Sequence, residues 1–244
     1  MRFLIVDTYY HYFPASFYAL LKRWFNFVWA HVPIKIVHLH RRPKWSGEDE
    51  RFSYQSFYNN FDIKPGEVVL DASCGGYPFP KATILTDTYL CDIPHRAGSL
   101  VRDHRPFVPC DVQNLPFRDR SIDFVYCSHT LEHVESPLKP CLEIMRVAKR
   151  GYIETPTLIK DALFSWAREL NHRWHIVQLG NRLVFFEYDQ RRLEGVRSTK
   201  RQETILSPYY YPNQDLFYPN QELFNSILEW VDRFEVVVFR LDKT

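Results

Sequence analysis

The chain has 244 residues, of which 45% are hydrophobic and 25% are charged, and its formal net charge is +2. This composition excludes a wholly disordered chain, a collagen and a coiled coil, because each of those classes has a strongly biased composition. The length allows one large or two small domains with a hydrophobic core. The balanced charge does not indicate nucleic acid as a partner, since nucleic-acid-binding domains usually present a strongly basic face.

The cysteines and the lengths of the apolar runs favour a cytoplasmic protein. Five cysteines are present and no two have C-x-x-C spacing, which favours reduced thiols over a disulfide framework or a zinc ribbon. No apolar run reaches the length of about 18 residues that a membrane helix needs. The apolar run in MRFLIVDTYY is also too short for a secretory signal.

Residues 1–46 form an aromatic and basic leader. Apolar residues recur at three- and four-residue steps over 14–32, which predicts a helix. Residues 22–44 contain six lysines and arginines and no acid. Two interpretations stay open: the helix packs its aromatic stripe on the main domain or covers a substrate pocket, or it makes a peripheral contact with anionic lipid.

A regular alternation of elements is predicted after the leader. Residues 47–64 indicate a short helix. Short apolar runs that end in or near an acid or a turn predict strands at 67–70, 83–85, 107–109, 122–126 and 152–153, and 136–149 is predicted to be helical. Strands separated by helices or long connections predict a parallel α/β sheet.

The remainder of the chain has a different pattern. A helix is predicted over 161–170, and strands over 175–179 and 183–188 flank Gly180-Asn181, which is typical of a hairpin. Residues 189–204 are charged and predict a loop, and 207–220 predict an irregular covering segment. We expect an amphipathic helix over 221–230 and a last strand over 234–240. The resulting division is a leader (1–46) and a main domain (47–244).

The segment 68–87 predicts a nucleoside site. An apolar strand ends at Asp71, a turn of small residues follows, and a second strand ends at Asp87. Ligands of open α/β sheets lie at the carboxyl ends of strands, and Asp87 is suited to accept hydrogen bonds from two ribose hydroxyls. The alternative is a tight turn with an incidental acid. Neither a Walker-type GxxxxGK[ST] nor a GxGxxG motif is present, which disfavours ATP, GTP and dinucleotides.

A second segment, 110–156, has a denser pattern. Its characteristic residues are Asp111, Val112, Leu115, Pro116, Phe117, Asp119, Ser121, Ile122, Asp123, Val125, Leu131, Glu132, His133, Val134, Pro137, Glu143, Arg146, Val147 and Gly151. In this order they resemble the class I S-adenosylmethionine-dependent methyltransferases, in particular the group with an LPF-D-S-D-V-LEHV-P-E-RV-G signature. The resemblance spans 68–87 and 110–156, and covers neither the leader nor the part after residue 156.

The resemblance implies a fold, a cofactor and a set of cofactor contacts. The fold is an α/β, Rossmann-like class I methyltransferase sheet with helices on both faces, here with a helical leader and a modified C-terminal part. The cofactor half is then about 65–156 and the substrate-side half 157–244. The implied S-adenosylmethionine contacts are Asp71, Ser73, Cys74, Gly75 and Gly76 for the methionine part, Asp87 for the ribose, Asp111 and Val112 for the adenine, and Ser128 beside the sulfonium.

One departure from the family pattern concerns the cofactor loop. The family has three glycines at alternate positions after the first strand, where this chain has Ser73, Gly75 and Tyr77. Tyr77 and Pro78 are expected to reshape or narrow the loop. A catalytically degenerate domain that only binds therefore stays open as an alternative.

Methyl transfer depends mainly on alignment, with a general base if the acceptor is a hydroxyl or an amine. The candidate catalytic residues are His129, His133 and His175, with His172 and Glu154 as further groups. His133 is alternatively a structural residue at a helix start, and 172–175 a surface cluster. We expect a small-molecule, sugar or lipid-linked acceptor.

A rival interpretation uses the same histidines. Residues 129–133 match H-x-x-E-H, in which two histidines one helical turn apart bind zinc, and Glu187 or Glu203 would be the third ligand. That motif requires a sustained helix, whereas a strand precedes this segment and Pro137 follows it. We therefore assign no metal ligand from the sequence.

Overall fold

A computed structural model describes residues 2–7, 34–39, 52, 55, 59–93, 96, 99–164, 171–189 and 221–241. The strands are β1 (Arg2–Asp7), β2 (Ile34–Leu39), β3 (Val69–Ala72), β4 (Ile84–Asp87), β5 (Phe107–Pro109), β6 (Phe124–Ser128), β7 (Arg150–Pro156), β8 (Trp174–Gln178), β9 (Arg182–Glu187), β10 (Asn225–Val231) and β11 (Glu235–Phe239). The helices are α1 (Leu138–Val147), α2 (Leu158–Phe164) and α3 (Gln221–Phe224). Among these described helices, none has the length and apolar character needed to cross a membrane.

The central sheet has six strands in the order β10-β7-β6-β3-β4-β5. The five strands β3 to β7 are parallel, and β10 is antiparallel to β7. The predicted parallel α/β sheet is confirmed, and each of β3 to β7 overlaps one of the five predicted strands. Since the chain leaves β3 toward β4 on one side and later returns on the other side at β6, the order reverses beside β3, which is where open α/β sheets bind ligands.

The two faces of the sheet carry two separate hydrophobic clusters, because successive side chains of a strand point to opposite faces. Leu70 and Val125 belong to the cluster that includes the buried residues of α1. Val69, Phe124 and Tyr126 belong to an aromatic cluster on the other face. Strands buried on both faces have nearly continuous apolar sequences, which explains why these short runs were recognisable as strands.

Helix α1 confirms the helix predicted over 136–149. Cys141, Ile144 and Val147 are buried on the side that faces the sheet, as their three-residue spacing requires. Arg146 on the same helix donates hydrogen bonds to the carbonyl oxygens of Leu115 and Phe117, at 2.9 and 2.8 Å. Several residues of the signature motif therefore hold the helix against the loop before β6.

The hairpin predicted around Gly180-Asn181 is also confirmed. Strands β8 and β9 are antiparallel, and β11 adds to β9 in parallel, so that they form a three-stranded sheet. Gly180 has φ +62°, a left-handed conformation that glycine adopts without strain. The last predicted strand corresponds to β11.

The helix predicted over 221–230 is wrong beyond its first turn. Residues Gln221–Phe224 are helical, but Asn225–Val231 form β10 and pair with Arg150–Pro156 of β7. Leu228 and Trp230 are buried, whereas Glu229 and Val231 are exposed. This alternation is that of a strand, and the backbone pairing offered by β7 outweighs the helical spacing of the apolar residues.

Several predictions lie outside the described residues. These are the helix over 14–32, most of the helix over 47–64, the end of the helix over 161–170, and the loop and covering segment over 190–204 and 207–220. In the leader the structure describes β1 and β2, which pair in parallel and which the sequence analysis did not predict.

Gly151 tests the packing of the central sheet. A Cβ atom there would lie 2.4 Å from the carbonyl oxygen of Val125 and 3.1 Å from Nε1 of Trp230. We expect Gly151→Ala to lower the free energy of unfolding by at least about 2 kcal/mol, since an overpacked core must shift its backbone. Chemical denaturation of the full chain measures this loss.

Gly180→Ala is the matched control, because the space around Gly180 is open within 4 Å. Only its left-handed conformation is strained by a side chain, which costs about 1 kcal/mol. An equal loss of stability in the two variants would contradict the assigned close contact.

Candidate cofactor and acceptor site

The carboxyl ends of β3, β4, β5 and β6 lie side by side, and backbone hydrogen bonds join the segments that follow them. The amide of Cys74, after β3, donates to the carbonyl of Thr86 on β4 at 2.8 Å. The amide of Cys110, after β5, donates to the carbonyl of Asp87 at 3.1 Å. Ser128 ends β6. The structure therefore brings the predicted cofactor residues to one edge of the sheet.

The turn after β3 keeps a glycine-like backbone although only one of its three alternate positions is glycine. Ser73 has φ +75° and Gly75 has φ +56°. Both values are in the left-handed region that L-residues usually avoid. Hydrogen bonds hold Ser73 there: its amide donates to Oγ1 of Thr86 at 3.3 Å, and Thr86 in turn donates to the carbonyl of Asp71 at 2.9 Å. These hydrogen bonds keep Ser73 in a conformation that favours glycine.

Asp71 maintains the same turn from within the protein. Its side chain is buried, and Oδ2 accepts the amide of Phe79 at 2.6 Å. A buried carboxylate that accepts a backbone N–H is a strong local anchor. Asp71 thus shapes the loop that the resemblance places against the methionine part of the cofactor.

Asp87 has a cationic partner that the sequence analysis missed. Its oxygens accept the amides of Gly75 at 3.1 Å and Tyr89 at 2.9 Å. Nη2 of Arg96 lies 3.0 Å from Oδ1, and both side chains are more than 90% buried. Arg96 also donates to the carbonyls of Tyr89 and Cys91. No motif marks this arginine, because the contact depends on how the loop after β4 folds back.

The predicted adenine residues follow β5. Asp111 accepts the amide of Gln113 at 2.8 Å, which fixes the start of the next turn. Val112 is 4% exposed and belongs to the core cluster beneath the site. The hydroxyl of Thr88 donates to the carbonyl of Cys110 at 3.3 Å, which joins the ends of β4 and β5.

A polar group lies at the ends of β6 and β7, beside the predicted cofactor loop. His129 comes directly after β6 and has φ +52°. Its Nε2 atom is 3.2 Å from Oε1 of Glu154 on β7 and 3.2 Å from Nζ of Lys160 on α2, and its Nδ1 atom is 3.3 Å from Oε1 of Glu132. The imidazole therefore lies between two carboxylates and one ammonium group.

Lys160 was not singled out in the sequence, yet it is 1% exposed. Its ammonium group donates to Oδ1 of Asn225 at 2.7 Å, in addition to its contact with His129. Lysine is almost never fully buried unless it is paired. Since Asn225 is contributed by β10, the mistaken helix prediction over 221–230 concealed this contact.

Glu154 on β7 contacts His129 and is itself fixed by hydrogen bonds from its neighbours. Oε2 accepts hydrogen bonds from Gln55 at 3.1 Å and from the hydroxyl of Tyr152, and Oε1 accepts the hydroxyl of Ser128 at 3.2 Å. Its side chain is 3% exposed. Glu154 is thus a buried anchor for His129.

The other predicted histidines are placed elsewhere. His175 lies on β8, where its ring stacks on Phe186, and burial lowers its pKa. His133 and His172 are in edge-to-face contact, with ring centroids 4.8 Å apart. The ring nitrogens of His129 instead contact Glu132, Lys160 and Glu154.

The H-x-x-E-H interpretation lacks its required geometry. Residues 131–133 form a turn, and the helix starts only at Leu138. Glu187 accepts the amide of Leu241 at 3.1 Å on the three-stranded sheet, and Glu203 lies outside the described residues. The two histidines of the motif are therefore not one helical turn apart, as a helical zinc hydrolase motif requires.

Glu132 is an ionised carboxylate within this turn. Burial acts to raise the pKa of its carboxyl, but the hydrogen bond with His129 and the charges of His133 and His172 outweigh burial and lower the pKa to about 2. Oε2 is buried and has no hydrogen-bond partner among the described residues.

Comparison with known proteins agrees with this arrangement. Residues 70–153 match a family model described as a methyltransferase domain. This segment runs from β3 to β7, the five parallel strands whose carboxyl ends form the site. Residues 70–153 are therefore similar in sequence to methyltransferase domains.

Three known proteins illustrate the similarity. Over 104 residues the chain is 32% identical to an uncharacterized protein of Methanocaldococcus jannaschii. The aligned segment covers 42% of this chain and 46% of that relative. The YcgJ protein of Bacillus subtilis is 18% identical, with 49% of this chain and 60% of that chain covered and a TM-score of 0.37. A chain from the complex of the Haloferax volcanii Trm112 methyltransferase activator with a methyltransferase is 13% identical, with coverages of 76% and 92% and a TM-score of 0.44. The chain thus spans about half the length of its curated relative.

The thiols test the packing of the cofactor loop. Burial, reinforced by the charges of Asp71 and Asp87, raises the pKa of Cys74 to about 12. Burial likewise raises the pKa of Cys110 to about 11 and also raises the pKa values of Cys127 and Cys141. Since the thiolate is the reactive form, we expect iodoacetamide at mildly alkaline pH to modify the exposed Cys91 far faster than the other four.

Peptide mass spectrometry of the native full chain measures the order of modification. Denaturation in guanidinium should make all five thiols reactive, which shows that burial protected them. Modification of Cys74 as fast as Cys91 would contradict the burial of Cys74 in the turn after β3.

Proposed function

We propose that the protein transfers a methyl group from S-adenosylmethionine to a hydroxyl or amine acceptor. The observation that carries this proposal is the common edge of the sheet, where the turn after β3, Asp87 and the segment after β5 lie beside Ser128 and His129. The matched methyltransferase domain supports the cofactor. Bound there, the cofactor would supply an activated methyl group, and the protein would align the acceptor with it.

His129 is the proposed general base. Its imidazole lies at the end of β6, and its side chain is 29% exposed, so that an acceptor can reach it from the solvent side. The carboxylates of Glu132 and Glu154 and the ammonium group of Lys160 lie within 3.3 Å of its ring nitrogens and fix the orientation of the imidazole. Such a base helps an O–H or N–H acceptor and is of no use to an acceptor that carries no proton on the attacking atom.

The proposed acceptor is a small molecule or a sugar, free or lipid-linked. Support comes from the polar groups around His129, which suit an acceptor with hydroxyl or amino groups. The basic and aromatic leader supports the lipid-linked form, because lysines, arginines and aromatic side chains favour anionic membrane surfaces. Flotation with vesicles that contain or lack anionic lipid tests that form: absence of the protein from both vesicle fractions would contradict it.

Calorimetric titration with S-adenosylmethionine and S-adenosylhomocysteine tests the cofactor site. We expect binding by the full chain that weakens at least about tenfold in Asp87→Ala, because a hydrogen bond to a charged group contributes about 1.5–3 kcal/mol. The matched control is Asp92→Ala, an exposed carboxylate of the following loop, which should bind as the wild type does.

The outcomes separate two functions. Binding that is lost only in Asp87→Ala supports a working cofactor site and justifies a screen of acceptors, with His129→Ala as the variant for turnover. Failure of the wild type to bind either ligand would contradict the proposal. It would favour a domain that keeps the fold but leaves Asp87 occupied by Arg96.

A further inference from the structure

Glu132, His133 and His172 form a cluster in which only Glu132 contacts the proposed general base, His129. Each offers one oxygen or nitrogen atom, and these atoms lie within 4.8 Å of one another. Nε2 of His133 is 3.8 Å from Oε1 of Glu132. These separations suit three ligands around one ion. The cluster joins the turn after β6 to the segment before β8.

Only one of the two carboxylate oxygens of Glu132 has a hydrogen-bond partner among the described residues. Oε1 contacts His129, whereas Oε2 is buried without a hydrogen-bond partner among the described residues. The side chain is 1% exposed, and leaving a carboxylate oxygen unpaired in the interior is costly. A cation at this oxygen would remove that cost.

His172 has the supporting carboxylate that usually accompanies a histidine ligand. Its Nδ1 atom lies 2.9 Å from Oδ1 of Asp161, and both side chains are 2% exposed. The two atoms are at ion-pair distance but do not form an aligned hydrogen bond. Tyr188 donates to Oδ2 of the same carboxylate at 2.8 Å. Carboxylates in this position orient metal-binding imidazoles.

We propose that Glu132, His133 and His172 bind one divalent cation of the zinc type. Two imidazoles and one carboxylate are the donor set that zinc takes in sites with an open fourth position, and imidazole disfavours magnesium and calcium. The side chain of His133 is 24% exposed, which leaves a solvent-facing side for that position. This site differs from the H-x-x-E-H interpretation, because His172 replaces His129 and no helix is required.

The cation would act as a positioning device. The backbone carbonyl of Glu132 already accepts the amides of Arg173 at 2.7 Å and Trp174 at 3.2 Å, so the two segments are in register. A cation on Oε2 would fix the Glu132 side chain, whose other oxygen contacts His129. Binding of the cation does not require that the protein transfer a methyl group as proposed above.

The test is titration of the chelator-treated full chain with cobalt(II) chloride, followed by zinc chloride. We expect one cobalt ion per chain, seen as a visible absorption band that zinc displaces. His133→Ala should weaken cobalt binding at least about tenfold, since even changes to supporting residues cost ten- to hundredfold. The exposed His104 provides the matched control, and His104→Ala should bind cobalt as the wild type does.

His172→Ala is the second variant, with circular dichroism to establish that it folds. Absence of a cobalt band in the wild type, or equal cobalt binding by His133→Ala and the wild type, would overturn the proposal. Calorimetry with S-adenosylhomocysteine on the same metal-free sample reports the cofactor site separately. Failure of one site is therefore distinguishable from failure of the other.

Discussion

The parallel pairing of β3 with β4 on one side and β6 on the other is the constraint on which the described site depends. Three residues of β3 pair with β4, and three pair with β6. Because the three strands run in the same direction, their carboxyl ends meet at one edge. Residues separated by 57 positions, Asp71 and Ser128, therefore lie at one edge of the sheet, and no single stretch of sequence contains the site.

Buried polar groups connect this edge of the sheet to the rest of the protein. Tyr126 donates to Gln55 at 2.9 Å, and Gln55 donates to Glu154. Glu154 contacts His129, which in turn contacts Lys160. Buried networks of this kind are stabilising only when their members are satisfied. The network links the aromatic face of the sheet to the proposed acceptor side, so residues of the core are also determinants of the site's geometry.

The strands and α1 could be predicted because the spacing of apolar residues within each short segment identifies the element. The apolar runs of β3 and β6 are buried on both faces, and the three-residue spacing in α1 faces the sheet. The segment of β10 was predicted wrongly as a helix because its apolar residues fit a helix as well as a strand, and only the neighbouring edge of β7 selects the strand. Arg96 and Lys160 were missed for a related reason: a single cation acquires its function from partners distant in sequence, here Asp87 and His129. The Ser73 position shows the opposite case, in which a residue that departs from the family pattern still adopts the left-handed backbone that favours glycine.

The late position of β10 in the chain has a consequence for synthesis. All seven residues of β7, Arg150–Pro156, pair with β10, but residues 225–231 leave the ribosome long after β7 does. Until then, β7 is an edge strand with unpaired backbone groups and with side chains, such as those of Tyr152 and Ile153, that are buried in the folded protein. Exposed edges of this kind pair with strands of other chains. Premature termination of translation before residue 225 would make that transient edge permanent, and such fragments should accumulate as aggregates rather than as smaller folded domains.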